Sequence, residues 1–142
     1  MIDKKDRQII DILLESGRES SSAISDKLGM SVPTVIDRIK KLQEANIISG
    51  FKAIVDFKSI GLKVSALISI ISESSNNYSE IVSKSLETKE VLKCYATTGS
   101  GSHVLIVNTV DTDSLEKLLR KIQNWPGVKR TETQIILSSH KT

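Results

Sequence analysis

The chain has 142 residues, 39% of them apolar, 26% charged and 4% aromatic, with 20 basic against 17 acidic side chains and a formal net charge of +3. That length holds one ordinary domain or two small ones and excludes a large multidomain enzyme, while the composition excludes a disordered chain and requires an aliphatic interior. A net charge this small does not announce a nucleic-acid partner, so any electrostatic binding must come from a local stripe.

The longest apolar stretches, such as Ala66 to Ile71, fall far short of the roughly 20 residues that span a bilayer, and no membrane partner is expected. The charged start, Met1-Ile2-Asp3-Lys4-Lys5-Asp6, has no signal-peptide core behind it and predicts a cytoplasmic location. One cysteine, Cys94, and two histidines, His103 and His140, form neither a disulfide framework nor a metal-ligand pattern, so no metal and no cofactor are expected.

Residues 1–46 read as three helices. In the first, Ile9, Ile10, Leu13 and Leu14 recur at the spacing of one helix face, Asp3 and Asp6 suit the positive end of its dipole, and Gly17 stops it. Ser20 to Ser22 supply capping oxygens for a short second helix that turns Ala23, Ile24 and Leu28 inward and ends at Gly29. Ser31 caps a third helix running to about Ala45, with Pro33 in the first turn, where no intrahelical acceptor is lost.

On that third helix Val35, Ile39 and Leu42 lie on one face, Thr34, Asp37 and Lys41 on the other, and Arg38 at the border. Arg38, Lys40 and Lys41, followed by Lys52, form the one candidate basic stripe, which by itself reads first as a solvated face. Two helices joined by a short turn with a central Gly, the second opened by Ser, make a helix-turn-helix, and the small Ser25 fits a close crossing.

Residues 47–61 read as a strand and linker, with Ile47, Ile48, Phe51, Ile54 and Val55 in the strand and a connector from Asp56 to Gly61. Residues 62–142 then give strands at 62–71, 91–97, 104–110 and 128–137 and helices at 78–86 and 113–123. Asn77 with Glu80 and Asp113 with Glu116 are the expected helix-start pairs. The order βαββαβ, with two helices on one face of an antiparallel sheet, is the ferredoxin-like plan, and the fold class is α+β. On the first strand Val64, Ala66, Ile68 and Ile70 share one face while Leu67 and Ile71 share the other, so a second subunit is expected to cover surplus apolar surface. Trp125 is expected to end a helix and cover the core edge, Tyr95 to pack, and His103 to be an ordinary surface or boundary residue.

Asp6-Arg7-Gln8-Ile9-Ile10, the run Ser31-Val32-Pro33-Thr34-Val35-Ile36-Asp37-Arg38-Ile39-Lys40-Lys41-Leu42, Ile48-Ser49-Gly50-Phe51, Thr98-Gly99, Pro126-Gly127-Val128 and Thr131-Glu132-Thr133 occur in this order. Together they resemble the Lrp/AsnC family of transcription factors, named for the leucine-responsive regulatory protein and the asparagine regulator, and the resemblance covers nearly the whole chain. It implies a winged-helix-like DNA-binding domain followed by a ligand-sensing and assembly domain. It also implies double-stranded DNA as a partner, and a homodimer or a larger assembly, a tetramer or an octamer.

By the same resemblance the helix from Ser31 enters the major groove, and Ser31, Thr34, Asp37, Arg38 and Lys41 are the DNA-contacting residues. The position of Asp37 is often basic in the family, so its carboxylate is a departure that repels phosphate or accepts from a cytosine amino group. The implied effector is amino-acid-like, held by Gly99, Ser100, Gly101, Ser102, Thr131 and Thr133. Ser102 stands where the family commonly has an acid facing the effector's ammonium group. Two other functions stay open on the residues alone: a protein-interaction module without DNA binding, and a haem-precursor decarboxylase-like enzyme, which shares this two-domain plan.

Overall fold

A computed structural model describes residues 1–142 and divides the chain into two compact units, Met1–Ile54 and Val55–Thr142. The first unit holds α1 (Lys4–Glu15), α2 (Ser21–Leu28) and α3 (Val32–Glu44). Its core is Ile9, Ile24 and Val35, one residue from each helix, with Ile12, Leu13, Leu28, Met30 and Ile39 packed around them. Fully burying each of the three removes apolar surface worth about 1.5 to 3 kcal/mol. Leu14, expected on the inner face of α1, is 78% exposed, because Ile12 and Leu13 already fill the arc that faces α2 and α3.

The start of α1 is more elaborate than its dipole required. Asp3 caps the helix by accepting from the Asp6 amide at 2.8 Å, and Asp6 reaches back to the Asp3 amide at 3.3 Å, closing a reciprocal capping box. The helix-turn-helix turn forms at Gly29, whose φ of 65° satisfies the last carbonyls of α2 without a Cβ penalty. Ser25 is buried and donates its hydroxyl to the Met30 carbonyl, which ties α2 to the turn.

The strand expected over 47–55 does not form. Asn46 turns left-handed at φ 57° to end α3, and the amides of Ile47 and Ile48 donate to the Leu42 carbonyl at 2.9 and 3.1 Å. The residues beyond them have strand-like composition but enter no ladder, and the one sheet of the chain is built from later residues. Ile54 is left 77% exposed, and Ile47, Phe51 and Val55 are exposed with it.

The second unit contains β1 (Val64–Ser72), α4 (Tyr78–Glu87), β2 (Val91–Ala96), β3 (His103–Thr109), α5 (Thr112–Gln123) and β4 (Val128–Ile136). They form a four-stranded antiparallel sheet in the order β2-β3-β1-β4, the ferredoxin-like arrangement. Register places Ala66, Ile68 and Ile70 opposite Val107, Leu105 and His103 on the face that α4 and α5 cover. Ile81 of α4 and Leu115, Leu118 and Ile122 of α5 complete this core, and Trp125 seals its edge just past α5 as expected.

α4 starts after Asn77 as expected but without the expected capping bond, and the start of α5 is corrected. Asn77 makes no capping bond to a backbone amide of α4, and the cap of α5 is Asp111, which accepts from the Ser114 amide at 2.8 Å. The Asp111 carboxyl is held below its ordinary range chiefly by that amide bond. Tyr95 does not pack: it faces away from the helices opposite Val104 and is half exposed. No helix is long and apolar enough to cross a membrane.

Candidate DNA-reading helix and effector loop

Recognition by a helix-turn-helix depends on the second helix being held from behind while its outer surface stays free. Ser31 sets the entry of α3: its hydroxyl accepts from the Thr34 amide at 3.2 Å and pairs with the Thr34 hydroxyl at 2.7 Å. Val35 and Leu42 are buried and Ile39 is half-buried, which fixes the inward face. Thr34, Asp37 and Lys41 are exposed, as their spacing predicts.

The charges on α3 are paired. Arg38 donates one guanidinium nitrogen to both carboxylate oxygens of Asp3 at 2.8 and 2.7 Å, and to Asp6 at 3.0 Å. The hydrogen bond from Arg38 holds the Asp3 carboxyl below its ordinary range, and the two acids raise the guanidinium further. Lys41 lies 3.0 Å from the Asp37 carboxylate one turn away, and Lys40 lies 4.0 Å from Glu44. Arg38 therefore belongs to the capping network of α1 as much as to the surface of α3, a link invisible in the spacing of α3 alone. Lys52 is exposed and lies outside any strand.

In the second unit, Gly99 and Ser100 form the exposed tip of the β2–β3 loop. Gly101 runs close under β1: a Cβ there would sit 3.2 Å from the Ile70 carbonyl oxygen, so a larger residue would need the two segments to part by a few tenths of an ångström. Ser102 points inward rather than toward solvent. It is only 7% exposed, and its hydroxyl lies 2.5 Å from the Ser72 hydroxyl and 2.8 Å from His103 Nδ1, while its amide donates to the Ile70 carbonyl at 2.8 Å.

His103, expected at the surface, is 1% exposed because its strand position faces the helices, where the Tyr78 ring meets it edge-on at 5.0 Å. Desolvation lowers its imidazole below the ordinary range, favouring the neutral form. Thr131 pairs with Ile70 across β1 from His103, and Thr133 pairs with Ile68. The glycine loop and Thr131 thus share one end of the sheet, two strand spacings, or roughly 10 Å, apart. Thr131 is partly engaged, accepting from Gln123 Nε2 at 3.1 Å.

Comparison with known proteins accounts for both units. Residues 63–142 match the Lrp/AsnC ligand binding domain, and residues 2–49 match a winged helix-turn-helix DNA-binding domain. The chain belongs to the Lrp/AsnC family. It is 35% identical to the HTH-type transcriptional regulator FL11 of Pyrococcus abyssi over 99% of its own length and 92% of that protein. Regulatory protein AsnC of Escherichia coli is 32% identical over 98% and 92% of the two chains, and the solved E. coli AsnC structure superposes with a TM-score of 0.85 at 31% identity, covering 100% and 96%. A feast or famine regulatory protein from M. tuberculosis complexed with L-methionine gives a TM-score of 0.92 at 27% identity over 100% and 96%.

The Lrp/AsnC chain is thus a transcriptional regulator that joins a DNA-binding helix-turn-helix to a ligand-binding domain, and it is not an enzyme. Ile36, on the outer surface of α3 and 53% exposed, is absent from the contact set predicted above. The rule that apolar helix positions face the core hides it.

Proposed function

We propose that α3 inserts into the major groove and that Ser31, Thr34, Asp37 and Lys41 face the DNA, with Arg38 reaching it from the flank where Asp3 and Asp6 hold it. The observation that carries this reading is the arrangement of α3, packed through Val35 and Leu42 from behind, with its N-terminal turns open to solvent. The working unit is a homodimer, extending to tetramers or octamers, acting in the cytoplasm. The exposed run from Ile47 to Val55 and the partly apolar sheet face bearing Leu67, Ile71, Val104 and Ile106 favour self-association. Two-fold symmetry then requires an operator with two half-sites separated by whole helical turns.

The effector is a small amino-acid-like molecule bound at the loop formed by Gly99, Ser100, Gly101 and Ser102 and at Thr131 and Thr133. With Ser102 uncharged and its hydroxyl engaged by Ser72 and His103, the loop offers no carboxylate at position 102 to an ammonium group. Backbone amides and hydroxyls then carry recognition, favouring acids whose amino group is absent or replaced.

A gel-shift titration against DNA upstream of the protein's own gene, in moderate salt with nonspecific competitor, tests the first claim. Discrete bands surviving competitor are expected; no shift on that DNA or on genomic fragments overturns it. Thermal shifts with amino acids and their matching 2-hydroxy and 2-oxo acids test the second, and stabilisation confined to the amino acids overturns it.

A further inference from the structure

Successive residues of a helix turn by about 100°, so the sides of α3 can be assigned from its contacts. Val35 faces the core, and Arg38 marks the flank occupied by the Asp3 and Asp6 carboxylates of α1. Ile36 projects from the opposite flank. It is 53% exposed and takes no part in the core cluster around Ile9, Ile24 and Val35. Its helical neighbours three before and four after, Pro33 and Lys40, are exposed as well.

Core packing does not account for Ile36. A β-branched residue is a poorer helix former than Ala, Arg, Lys or Gln, and at a solvent position each of those would suit α3 better. Pro33 adds a second side chain without polar atoms at the same end of the helix. The polar groups nearby are mutually satisfied: Asp37 with Lys41, Lys40 with Glu44, and Ser31 with Thr34. The first two turns of the recognition helix therefore present an apolar surface beside a carboxylate, with no unpaired cation. Such a surface is badly suited to phosphate and well suited to a base edge, and the apolar group on the major-groove edge of the bases is the thymine C5-methyl.

Resting on the reading of α3 as the recognition helix, we infer that Ile36, backed by Pro33, is a specificity-determining residue that reads a thymine methyl in each half-site. The operator then carries a thymine facing the second turn of α3, and Asp37 discourages sliding onto the phosphates beside it.

Deoxyuridine tests this directly, since it keeps every hydrogen bond of thymidine and removes only the methyl. Duplexes selected from a randomised library by the full-length protein supply the probe. Each thymine of the selected consensus is then replaced by deoxyuridine in both half-sites at once, and affinity is read by fluorescence anisotropy at fixed salt for the parent and for Ile36→Ala. One symmetric pair is expected to weaken the parent on the order of tenfold, about fourfold per methyl, and to leave Ile36→Ala unaffected. Because Ile36 is half exposed and Ala favours helix, the variant should keep the parent's circular dichroism and melting temperature.

If no deoxyuridine position affects the parent, or the loss persists equally in Ile36→Ala, the methyl-reading role is wrong while the recognition helix stands. If selection yields no preferred duplex, the recognition helix reading falls and this inference falls with it.

Discussion

Gly127 joins the start of β4 to the start of α4 and permits a quantitative test of this packing. Its φ is 81°, and an added Cβ would lie 2.5 Å from the Asn77 Cβ. Gly127→Ala therefore incurs two separable costs, about 1 to 2 kcal/mol for a left-handed alanine and about 1 to 3 kcal/mol for overpacking against Asn77. The reduced freedom of the unfolded chain returns up to about 1 kcal/mol. The net loss should be about 1 to 5 kcal/mol, each kcal/mol lowering the melting temperature by roughly 4 to 8 °C for a domain of this size.

Asn77 makes no backbone cap at α4, so Asn77→Gly removes the clashing Cβ at little cost to the cap itself. Urea denaturation of the parent, both single variants and the double variant should show the double variant recovering the overpacking share and keeping the left-handed cost. Additivity of the two singles within about 0.5 kcal/mol would refute the packing argument.

Ser31→Ala removes the cap of α3 and should destabilise the first unit by about 1 kcal/mol, while Ser31→Gly costs only a few tenths; equal losses in chemical denaturation would show that the hydroxyl is not the cap. Asp37→Asn releases Lys41 from its 3.0 Å partner, so DNA affinity at low salt should rise and the log–log salt slope steepen by about 0.9 for each phosphate newly neutralised. An unchanged slope across a salt titration would mean that Lys41 does not reach the backbone. For His103 the folded pKa lies below the ordinary 6.5 of the unfolded chain, so its contribution is complete above about pH 6.5 and is lost as pH falls below it. The loss is at most about 1.4 kcal/mol per pH unit. His103→Gln should flatten the stability profile below about pH 6.5, and an unflattened profile places the proton elsewhere.

Local chemistry was legible in the sequence wherever a residue and its neighbours decide the outcome. Gly29 in a left-handed turn, Ser31 as a cap, the Leu115-Leu118-Ile122 stripe and the βαββαβ order all follow from short-range pattern and hold in the structure. What failed depends on partners. The segment from Ile47 to Val55 has strand-like residues and no pairing partner in its own unit, and pattern reports the first without the second. His103 reads as a boundary residue until register places it with Ile70 on the helix-covered face. Arg38 reads as a free cation of α3 until Asp3 and Asp6, 35 and 32 residues earlier, pair with its guanidinium.

The departures at the two candidate sites both concern charge. The family resemblance implies a basic residue at the position of Asp37 and an acid at that of Ser102, and here the first charge is reversed and the second is absent. Around both, the supporting structure is intact: Ser31 still caps α3, and the Ile70 carbonyl still receives the Ser102 amide and sits against Gly101. At the solvated position 37 a change of charge costs the fold little, since exposed ion pairs contribute at most about 1 kcal/mol, whereas an altered cap, glycine turn or core position costs more. Operator and effector preference can therefore drift while the scaffold stays recognisable at 35% identity. On the proposed readings, shape and neutral contacts add to the charges that remain, Ile36 against a methyl group at one site and the glycine loop against an effector at the other.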